Sequence, residues 1–306
     1  MSEIANAVLA CAQLPGEIQR PTRCKDLLWP VLERLEDEQR RGPGAKRIRT
    51  GVPDLDDVMC GWTTGQVALV SGTRGIGKTT LAMSAAIAAA EQGEPTLVVA
   101  ADQDGRQLTS RALALRSGLP VWKLASRVRD RLHEEDYFPL ARAAGILSVA
   151  PLYFMGGGTP SLDALRAIVR DSEETGKYGF VVIDGCDEHL GPDAESFVYG
   201  LKALADETDV AILVTLAVDA ADRLARVPST PDLRPAAIGA DTFIRLSETR
   251  AADGRGRTGD RRVHVAVEWH RYGTPGEFDL LFRECLTRFE RSLAPITIRA
   301  NLDVQH

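Results

Sequence analysis

The sequence predicts an α/β fold in which a mostly parallel central sheet is flanked by helices and carries an antiparallel extension at its C-terminal end. From residue 66 onward, short continuous apolar runs alternate with longer stretches of helical periodicity. Strands that are apolar on both faces are typical of a parallel sheet covered by helices on each side. After residue 243 the pattern changes to strand-like pieces joined by polar, arginine-rich loops, which indicates the antiparallel extension.

The predicted helices lie between the predicted strands of the alternating region. The strands cover residues 67–71, 96–101, 152–155, 180–184 and 211–215. The helices cover residues 79–92, 106–117, 134–147, 161–175 and 194–208. All of these strands are too apolar to have one face in water, so we expect each to be buried on both faces. Two further strands are predicted in the extension, at 261–268 and 277–282.

The composition fits a globular protein and excludes several other classes. The 306 residues are 44% hydrophobic and 26% charged, and no apolar run is long enough to span a membrane. The cysteines have no short paired spacing, which argues against a disulfide framework and a zinc site. With a net charge of −6, any contact with nucleic acid has to come from a local patch or from assembly. We expect a cytoplasmic protein without a membrane contact.

The chain before residue 48 is predicted to contain a flexible arm, residues 1–20, and one helix. Within 25–41, apolar side chains recur on one side at helical spacing, namely Leu27, Leu28, Val31, Leu32 and Leu35. Pro30 requires that this helix begin near Trp29 or be kinked there. A linker rich in Gly and Pro follows. The predicted domains are therefore 21–47 for the helix and linker, 48–292 for the main domain and 293–306 for a C-terminal tail.

A phosphate-binding motif follows the first predicted strand and opens the next predicted helix. The pattern G-x-x-x-x-G-K-[ST] is formed by Gly72, Thr73, Arg74, Gly75, Ile76, Gly77, Lys78 and Thr79, with Thr80 directly after it. Glycines let backbone N–H groups turn toward phosphates, and the helix N-terminus adds partial positive charge. Lys78 can reach the terminal phosphates, and the Thr79 hydroxyl can bind Mg²⁺. We expect ATP or a related nucleotide, with Mg²⁺, as the ligand.

Two carboxylates end other strands of the same predicted sheet. Asp184 ends an apolar strand, where a carboxylate can bind the Mg²⁺ of a P-loop site. Asp102 ends the strand after the P-loop helix, at the sheet edge where α/β proteins bind ligands, and is a candidate for activating the attacking water. The alternative for Asp102 is a cap of the following turn or helix, because residues 102–105 also form a good turn.

Further motifs follow the order of a known family along most of the chain. They lie at 50–56, 72–79, 106–111, 117–118, 150–153, 182–184, 201–205, 232–234 and 271–276. Over residues 20–291, the chain resembles the C-terminal ATPase domain of DnaB-type replicative helicases, together with the linker helix that precedes it. The resemblance implies a RecA-like P-loop NTPase fold. The motif at 271–276 and the linker helix favour this branch over RecA, RadA or KaiC-like ATPases.

The resemblance also implies an assembly and roles for individual residues. Members of this family form six-subunit rings, bind ATP between subunits and draw single-stranded DNA through the central hole. Lys78 and Thr79 would bind phosphate and Mg²⁺, and Asp184 would be the Walker B acid. Asp102 stands where the family has its catalytic Glu, and Arg271 would be the arginine finger that reaches a neighbour's γ-phosphate. The linker helix would dock on the next subunit in a homo-oligomer.

The sequence departs from the family pattern at several positions. Asp at 102 shortens the carboxylate arm by one methylene, and catalytic geometry is sensitive to such displacements. The family's polar sensors correspond to residues 185–187 and 216–217, where they are expected to be missing. Trp269 replaces a Lys, and the loop after Asp184 is acidic where a DNA contact needs cations. About twenty residues precede the linker helix, so we expect no N-terminal primase-binding domain and no primase contact of the usual kind.

Two functions remain open. The first is an ATP-driven, ring-forming motor that acts on single-stranded DNA. The second is a degenerate DnaB, RecA or KaiC-like ATPase that oligomerises with nucleotide in a regulatory or assembly role without helicase activity. The possible DNA contacts are Arg223 and Arg226, in the predicted loop at 218–234, and the run Arg250, Arg255, Arg257, Arg261 and Arg262. Acidic residues interleave with them, so a solvated loop of mixed charge is an equally good interpretation.

Overall fold

A computed structural model gives the fold of most of the chain. It describes residues 23–25, 28–29, 32–33, 36, 47–124, 132–158, 160–170, 177–185, 194–218, 239–248, 260–271, 273–283, 286–292 and 296–298. The chain divides into two compact units, Met1–Ala45 and Lys46–His306. The predicted arm at 1–20, the acidic loop after Gly185 and the arginines at 223, 226, 250, 255 and 257 lie outside the described residues.

The first unit contains described helical residues in the region where the sequence predicts the amphipathic helix. They are Cys24, Lys25, Leu28, Trp29, Leu32, Glu33 and Glu36, and all of them are exposed. Leu28, Trp29 and Leu32 expose 53%, 67% and 48% of their surface. Leu27, Pro30, Val31 and Leu35 lie outside the described residues, so the full apolar face stays a prediction.

The second unit contains the helices and strands of the α/β fold. Its helices are α1 (Pro53–Met59), α2 (Lys78–Glu91), α3 (Gly105–Ser117), α4 (Val121–Leu124), α5 (Glu134–Val149), α6 (Leu162–Arg170) and α7 (Ala194–Thr208). Its strands are β1 (Val67–Thr73), β2 (Thr96–Ala100), β3 (Leu152–Gly156), β4 (Phe180–Asp184), β5 (Ala211–Val218), β6 (Thr242–Glu248), β7 (Arg261–His270), β8 (Gly276–Arg283), β9 (Arg288–Arg291) and β10 (Thr297–Ile298). No helix in the described part of the chain is long and apolar enough to cross a membrane.

All the described strands belong to one sheet with the order β10-β8-β7-β6-β1-β5-β4-β2-β3, and β9 pairs with β8. From β6 to β3 every neighbouring pair is parallel. β7, β8, β9 and β10 extend the sheet with antiparallel pairs. The predicted fold class is therefore confirmed. Thr297 and Ile298, which the sequence assigns to a C-terminal tail, form β10 against the start of β8.

The two faces of the sheet are buried in two separate hydrophobic clusters, as alternating side chains on a parallel strand require. In β1, Ala68 and Val70 join the cluster that includes α1, α2 and α3. Val67 and Leu69 join the other cluster, which includes α6 and α7. Because β6, β1, β5, β4, β2 and β3 are parallel, their carboxyl ends lie at one edge of the sheet, and α2 begins at that edge, after β1.

Two differences from the sequence predictions concern the terminal strand β3 and the interior strand β6. β3 was predicted to be buried on both faces, but it is the terminal strand of the sheet and its side chains are only partly buried. At Gly156, a Cβ atom would lie 2.2 Å from the carbonyl oxygen of Gln103, so the segment after β2 can approach β3 only because residue 156 is glycine. β6 was not predicted as a strand, and it pairs with β1 in parallel and β7 in antiparallel orientation.

Candidate nucleotide-binding site

The phosphate-binding motif lies in a tight turn between β1 and α2. Gly75 and Gly77 have φ angles of 77° and 109°, in the left-handed region where only glycine is unstrained. Gly77 is the N-cap of α2, and its carbonyl accepts a hydrogen bond from the Leu81 N–H at 2.9 Å. The turn therefore presents the positive end of the α2 dipole and the first-turn amides of a helix, a geometry that attracts phosphate groups.

The Lys78 side chain folds back over this turn. Its Nζ donates hydrogen bonds to the carbonyl oxygens of Gly72 at 2.8 Å and Thr73 at 3.1 Å. The ammonium group thus lies beside the loop that the sequence assigns to phosphate binding. A lysine in this position can exchange carbonyl contacts for contacts with phosphate oxygens.

Thr79 and Asp184 are brought together as the sequence predicts. The Thr79 hydroxyl donates to Asp184 Oδ2 at 2.9 Å, although the two residues are 105 positions apart. Asp184 is almost fully buried at the end of β4. A hydroxyl and a carboxylate are the oxygen donors that Mg²⁺ prefers, and two protein ligands are typical of Mg²⁺ that is also bound by phosphates.

Thr215 on β5 also contacts the Asp184 carboxylate, and the sequence does not predict Thr215 as a site residue. The pairing of Ile183 with Val214 places the next residues of β4 and β5 side by side. The Thr215 hydroxyl donates to Asp184 Oδ1 at 2.6 Å and accepts the Gly185 N–H at 3.0 Å. The pair at 216–217 is apolar, without the polar sensors of the family, but Thr215 directly before it brings a hydroxyl to this edge of the sheet. A single Thr in an otherwise apolar strand was the available signal.

Burial sets the electrostatics of Asp184. Removal from water raises the pKa of this carboxyl above its ordinary value, and the nearby charge of Asp102 raises it further. The hydroxyl donors Thr215 and Thr79, together with the charge of Arg111 on α3, oppose this shift of the pKa. A divalent cation beside Asp184 would stabilise the ionised form.

Asp102 lies directly beyond β2, exposed at the same edge of the sheet. The Ala101 N–H donates to the carbonyl oxygen of Asp184 at 3.1 Å, so the ends of β2 and β4 are joined there. The alternative role considered for Asp102, that of a helix cap, belongs to Asp104, which is the N-cap of α3. Its carboxylate accepts the Gln107 N–H at 2.8 Å, and the Gln107 side chain accepts the Asp104 N–H at 2.9 Å. The catalytic role of Asp102 stays a prediction.

Arg271 lies far from the P-loop of its own chain. Its Nε is 3.2 Å from Asp241 Oδ1, and its backbone N–H donates to the Asp241 carbonyl at 2.8 Å. Asp241 is fully buried and also accepts the Val67 N–H at 2.9 Å through Oδ2. Val67 begins β1, whereas the phosphate-binding turn follows its end, about 20 Å away along the strand. The structure therefore does not bring Arg271 to Lys78.

Lys202 of α7 is the second cation on Asp241. Its Nζ lies 3.1 Å from Asp241 Oδ2 and 3.0 Å from Asp206, and it donates to the Gly65 carbonyl at 2.6 Å. Burial by itself lowers the pKa of Lys202, but the hydrogen bonds to Asp206 and Asp241 outweigh it and the pKa is raised. Asp241 therefore anchors Arg271, Lys202 and the start of β1 at the amino edge of the parallel strands.

Trp269 and Arg261, two further residues that the sequence singles out, lie near the two ends of β7. Trp269, which stands where the family has a Lys, is half-exposed near the end of β7. Arg261, which the sequence groups with possible DNA contacts, donates from a guanidinium nitrogen to the P-loop carbonyl of Gly75 at 2.6 Å. The reason is that β7 begins at the same edge of the sheet as the P-loop, since it runs antiparallel to β6.

Comparison with known proteins identifies the family. The model of the DnaB-like helicase C terminal domain matches residues 47–291. Two relatives named "Replicative DNA helicase DnaB", from Leifsonia xyli subsp. xyli (strain CTCB07) and Treponema pallidum (strain Nichols), are 24% identical over 281 residues and 26% identical over 277 residues. Both alignments cover 87% of this chain, and the chain spans about 60% of the length of these relatives.

Solved structures show the same fold at low sequence identity. A structure described as an ATPase domain matches with a TM-score of 0.75 and 19% identity, over 88% of this chain and 99% of that one. The structure described as "The Structure Of A DnaB-Like Replicative Helicase And Its Interactions With Primase" matches with a TM-score of 0.71 and 19% identity, over 93% of this chain and 70% of that one. The match of the DnaB-like helicase C terminal domain model over residues 47–291 establishes that the chain belongs to the family of DnaB-like helicase C-terminal domains.

Proposed function

We propose that the protein is a ring-forming ATPase that couples ATP binding and hydrolysis to movement along single-stranded DNA or to its unwinding. The observation that carries the proposal is the P-loop with Thr79 hydrogen-bonded to buried Asp184 at 2.9 Å. These residues provide a phosphate cradle and two oxygen donors for Mg²⁺ at the carboxyl edge of the sheet. Membership of the DnaB-like family supports this function over the alternative of an assembly ATPase without helicase activity.

Each part of the site would have its own role in ATP binding and hydrolysis. Backbone N–H groups of the turn from Gly72 to Thr79 and the Lys78 ammonium would bind the phosphates of ATP. Thr79 and Asp184 would hold Mg²⁺, which supplies charge stabilisation for phosphoryl transfer when bound. Asp102, exposed at the end of β2, would accept a proton from the attacking water.

The position of Arg271 supports an active site shared between two copies of the chain. It is held on Asp241 at the edge of the sheet opposite to its own P-loop. An arginine at that edge can reach the phosphates of a neighbouring subunit that packs head to tail. Such heterologous contacts close into a ring when the rotation between subunits permits it. We propose a homo-oligomer, a hexamer by analogy with the family, with Arg271 as the finger.

The domain organisation follows from the same proposal. Residues 21–47 would form the linker helix and linker, with the helix docked on the next subunit, and residues 48–292 would form the ATPase domain. Exposed Leu28, Trp29 and Leu32 support a docking role because they present a large apolar surface. The arm at 1–20 would precede these parts, and the tail from 293 would add β10 to the sheet of the ATPase domain.

The most direct test combines an ATPase assay with a mass measurement. ATP hydrolysis would be measured with and without single-stranded DNA, and the mass would be determined with a slowly hydrolysed ATP analogue. A six-subunit species whose hydrolysis is stimulated by DNA is expected. Assembly without stimulation would favour the assembly ATPase instead. Lys78→Ala is expected to abolish nucleotide binding, and unchanged nucleotide affinity in this variant would contradict the P-loop assignment.

A further inference from the structure

Three residues of the antiparallel extension form a row directly beneath the P-loop. Arg261 of β7 is paired in register with Phe282 of β8, and Phe282 is paired with Phe289 of β9. Side chains directly opposite each other on neighbouring strands lie on the same face of the sheet. The guanidinium carbon of Arg261 lies 5.5 Å from the centre of the Phe282 ring, and the two phenyl rings lie 5.0 Å apart. The three side chains therefore pack as one unit.

This row contacts the phosphate-binding turn at two points. Arg261 donates to the Gly75 carbonyl at 2.6 Å. The Phe289 ring lies against Gly77, where an added Cβ atom would come within 2.5 Å of the ring edge. Gly75 and Gly77 are the two turn glycines with positive φ, so the contacts fall on the part of the turn with the least common backbone conformation. The antiparallel extension thus supports the turn from outside, while the phosphates would lie inside it.

The hydrogen bond from Arg261 to the Gly75 carbonyl is of a kind that can remain in place when nucleotide binds. Phosphates are bound by the N–H groups of such a turn and leave its outward carbonyls unused. Lys78 holds the carbonyls of Gly72 and Thr73, but its ammonium has to turn toward the phosphates. Arg261 holds a third carbonyl with a charge-assisted hydrogen bond and need not move. Its orientation is also fixed by stacking on Phe282, which is buried.

We propose that Arg261 is a positioning residue of the nucleotide site, which holds the P-loop in its phosphate-binding shape through Gly75 and strengthens the binding of nucleoside di- and triphosphates. The proposal rests on the proposed function, because it assumes that the P-loop binds nucleotide. It assigns Arg261 to the chain's own ATP site rather than to a DNA contact. Because Arg261 would act through the Gly75 carbonyl of the loop rather than through the γ-phosphate, it should affect both kinds of nucleotide equally.

The test compares Arg261→Gln with Arg245→Gln, using ADP with Mg²⁺ and a slowly hydrolysed ATP analogue with Mg²⁺, in the absence of DNA. Arg245 is a matched control because it is an exposed arginine on neighbouring β6 that pairs with Glu268 at 2.9 Å. Arg261→Gln is expected to weaken the binding of both nucleotides about tenfold, the loss expected for one charge-assisted hydrogen bond. Arg245→Gln should stay within about twofold of the wild type, and Arg261→Lys should recover part of the loss because it keeps the charge.

A second measurement separates positioning from general stability. Hydrogen exchange of the P-loop amides in nucleotide-free protein is expected to accelerate in Arg261→Gln and not in Arg245→Gln, while the melting temperature changes equally little in both. Wild-type nucleotide affinity in Arg261→Gln would overturn the proposal, as would acceleration spread over the whole sheet. Failure of the wild type itself to bind either nucleotide would overturn the proposed function, and the positioning role would fall with it.

Discussion

Asp184 must be ionised to bind a divalent cation, yet it lies in a place that disfavours its charge. Burial raises the pKa of this carboxyl, and hydroxyl donors and the charge of Arg111 oppose the shift without cancelling it. A folded-state pKa above the unfolded-state value means that ionisation of Asp184 costs stability. The cost grows as the pH rises from the ordinary value through the raised pKa, and it is absent at low pH, where the carboxyl is protonated in both states.

The neutral variant Asp184→Asn should therefore fold more stably than the wild type in the absence of metal and nucleotide. We expect its free energy of unfolding near neutral pH to rise by about 1 kcal/mol, in the range of stabilising changes at functional sites. The gain should shrink as the pH falls toward the ordinary carboxyl pKa of 3.8, because the wild-type group then becomes neutral. Denaturant unfolding at several pH values measures this. A loss of stability near neutral pH would show that the hydrogen bonds from Thr79 and Thr215 outweigh the burial.

Asp102 offers a gain-of-function prediction, since the family has a longer carboxylate at its position. The residue is exposed, so an extra methylene meets no packing constraint. We expect Asp102→Glu to raise the rate of ATP hydrolysis about tenfold, because catalysis is sensitive to displacements of about 1 Å. Asp102→Asn is the control and should remove most hydrolysis without changing nucleotide affinity. Steady-state kinetics of both variants decide the matter, and a slower Asp102→Glu would mean that another group activates the water.

At the scale of elements, uniform burial decides which strands the sequence predicts. β4 has its predicted bounds, Phe180–Asp184, because every residue in it is buried. The sequence pattern does not predict β6, because exposed Arg245 and partly buried Ser247 interrupt its apolar residues. The apolar sequence of β3 predicts two buried faces, because it does not reveal that this strand ends the sheet. Strand order is a property of long-range pairing, which local patterns do not contain.

The site shows the same division between local and long-range information. The P-loop is contiguous in sequence, so its residues and Asp184, the proposed Mg²⁺ ligand, could be predicted from a motif and a strand end. Thr215 and Arg261 could not be assigned, because one depends on the register between β4 and β5 and the other on where β7 begins. Asp102 and Asp104 are close together in one turn pattern, and the hydrogen bonds show that Asp104 caps α3.

The cap of α3 gives a prediction that separates structure from catalysis. Asp104→Ala removes the side-chain hydrogen bond of the capping box and should lower the free energy of unfolding by about 1 kcal/mol. Asp102→Ala should change it by less than about 0.5 kcal/mol, because an exposed side chain without a capping role contributes little. Chemical denaturation of both variants without nucleotide measures the difference. Equal losses in the two variants would mean that Asp102 also stabilises the start of α3.

At the scale of the whole molecule, the sheet separates two groups of residues that the proposed function assigns to one active site. The P-loop, Asp102 and Asp184 lie at the carboxyl edge of the parallel strands. Arg271 lies at the amino edge, where buried Asp241 fixes it and is in turn shared with Lys202. On this proposal, a single chain presents a nucleotide site on one side and the finger for a different site on the other. Head-to-tail assembly is the arrangement that brings these two halves together.

This separation predicts that two inactive variants restore activity when mixed. Lys78→Ala lacks the phosphate lysine and Arg271→Ala lacks the finger, so each alone should hydrolyse ATP very slowly. In an equal mixture with random assembly, about a quarter of the interfaces combine Lys78 from one subunit with Arg271 from the next. Hydrolysis should then rise clearly above the sum of the separate variants, up to about a quarter of the wild-type rate. Mixing either variant with the double variant Lys78→Ala/Arg271→Ala creates no complete interface and should restore nothing. Restoration in that control, or none in the first mixture under conditions where the subunits exchange, would contradict a finger that acts between subunits.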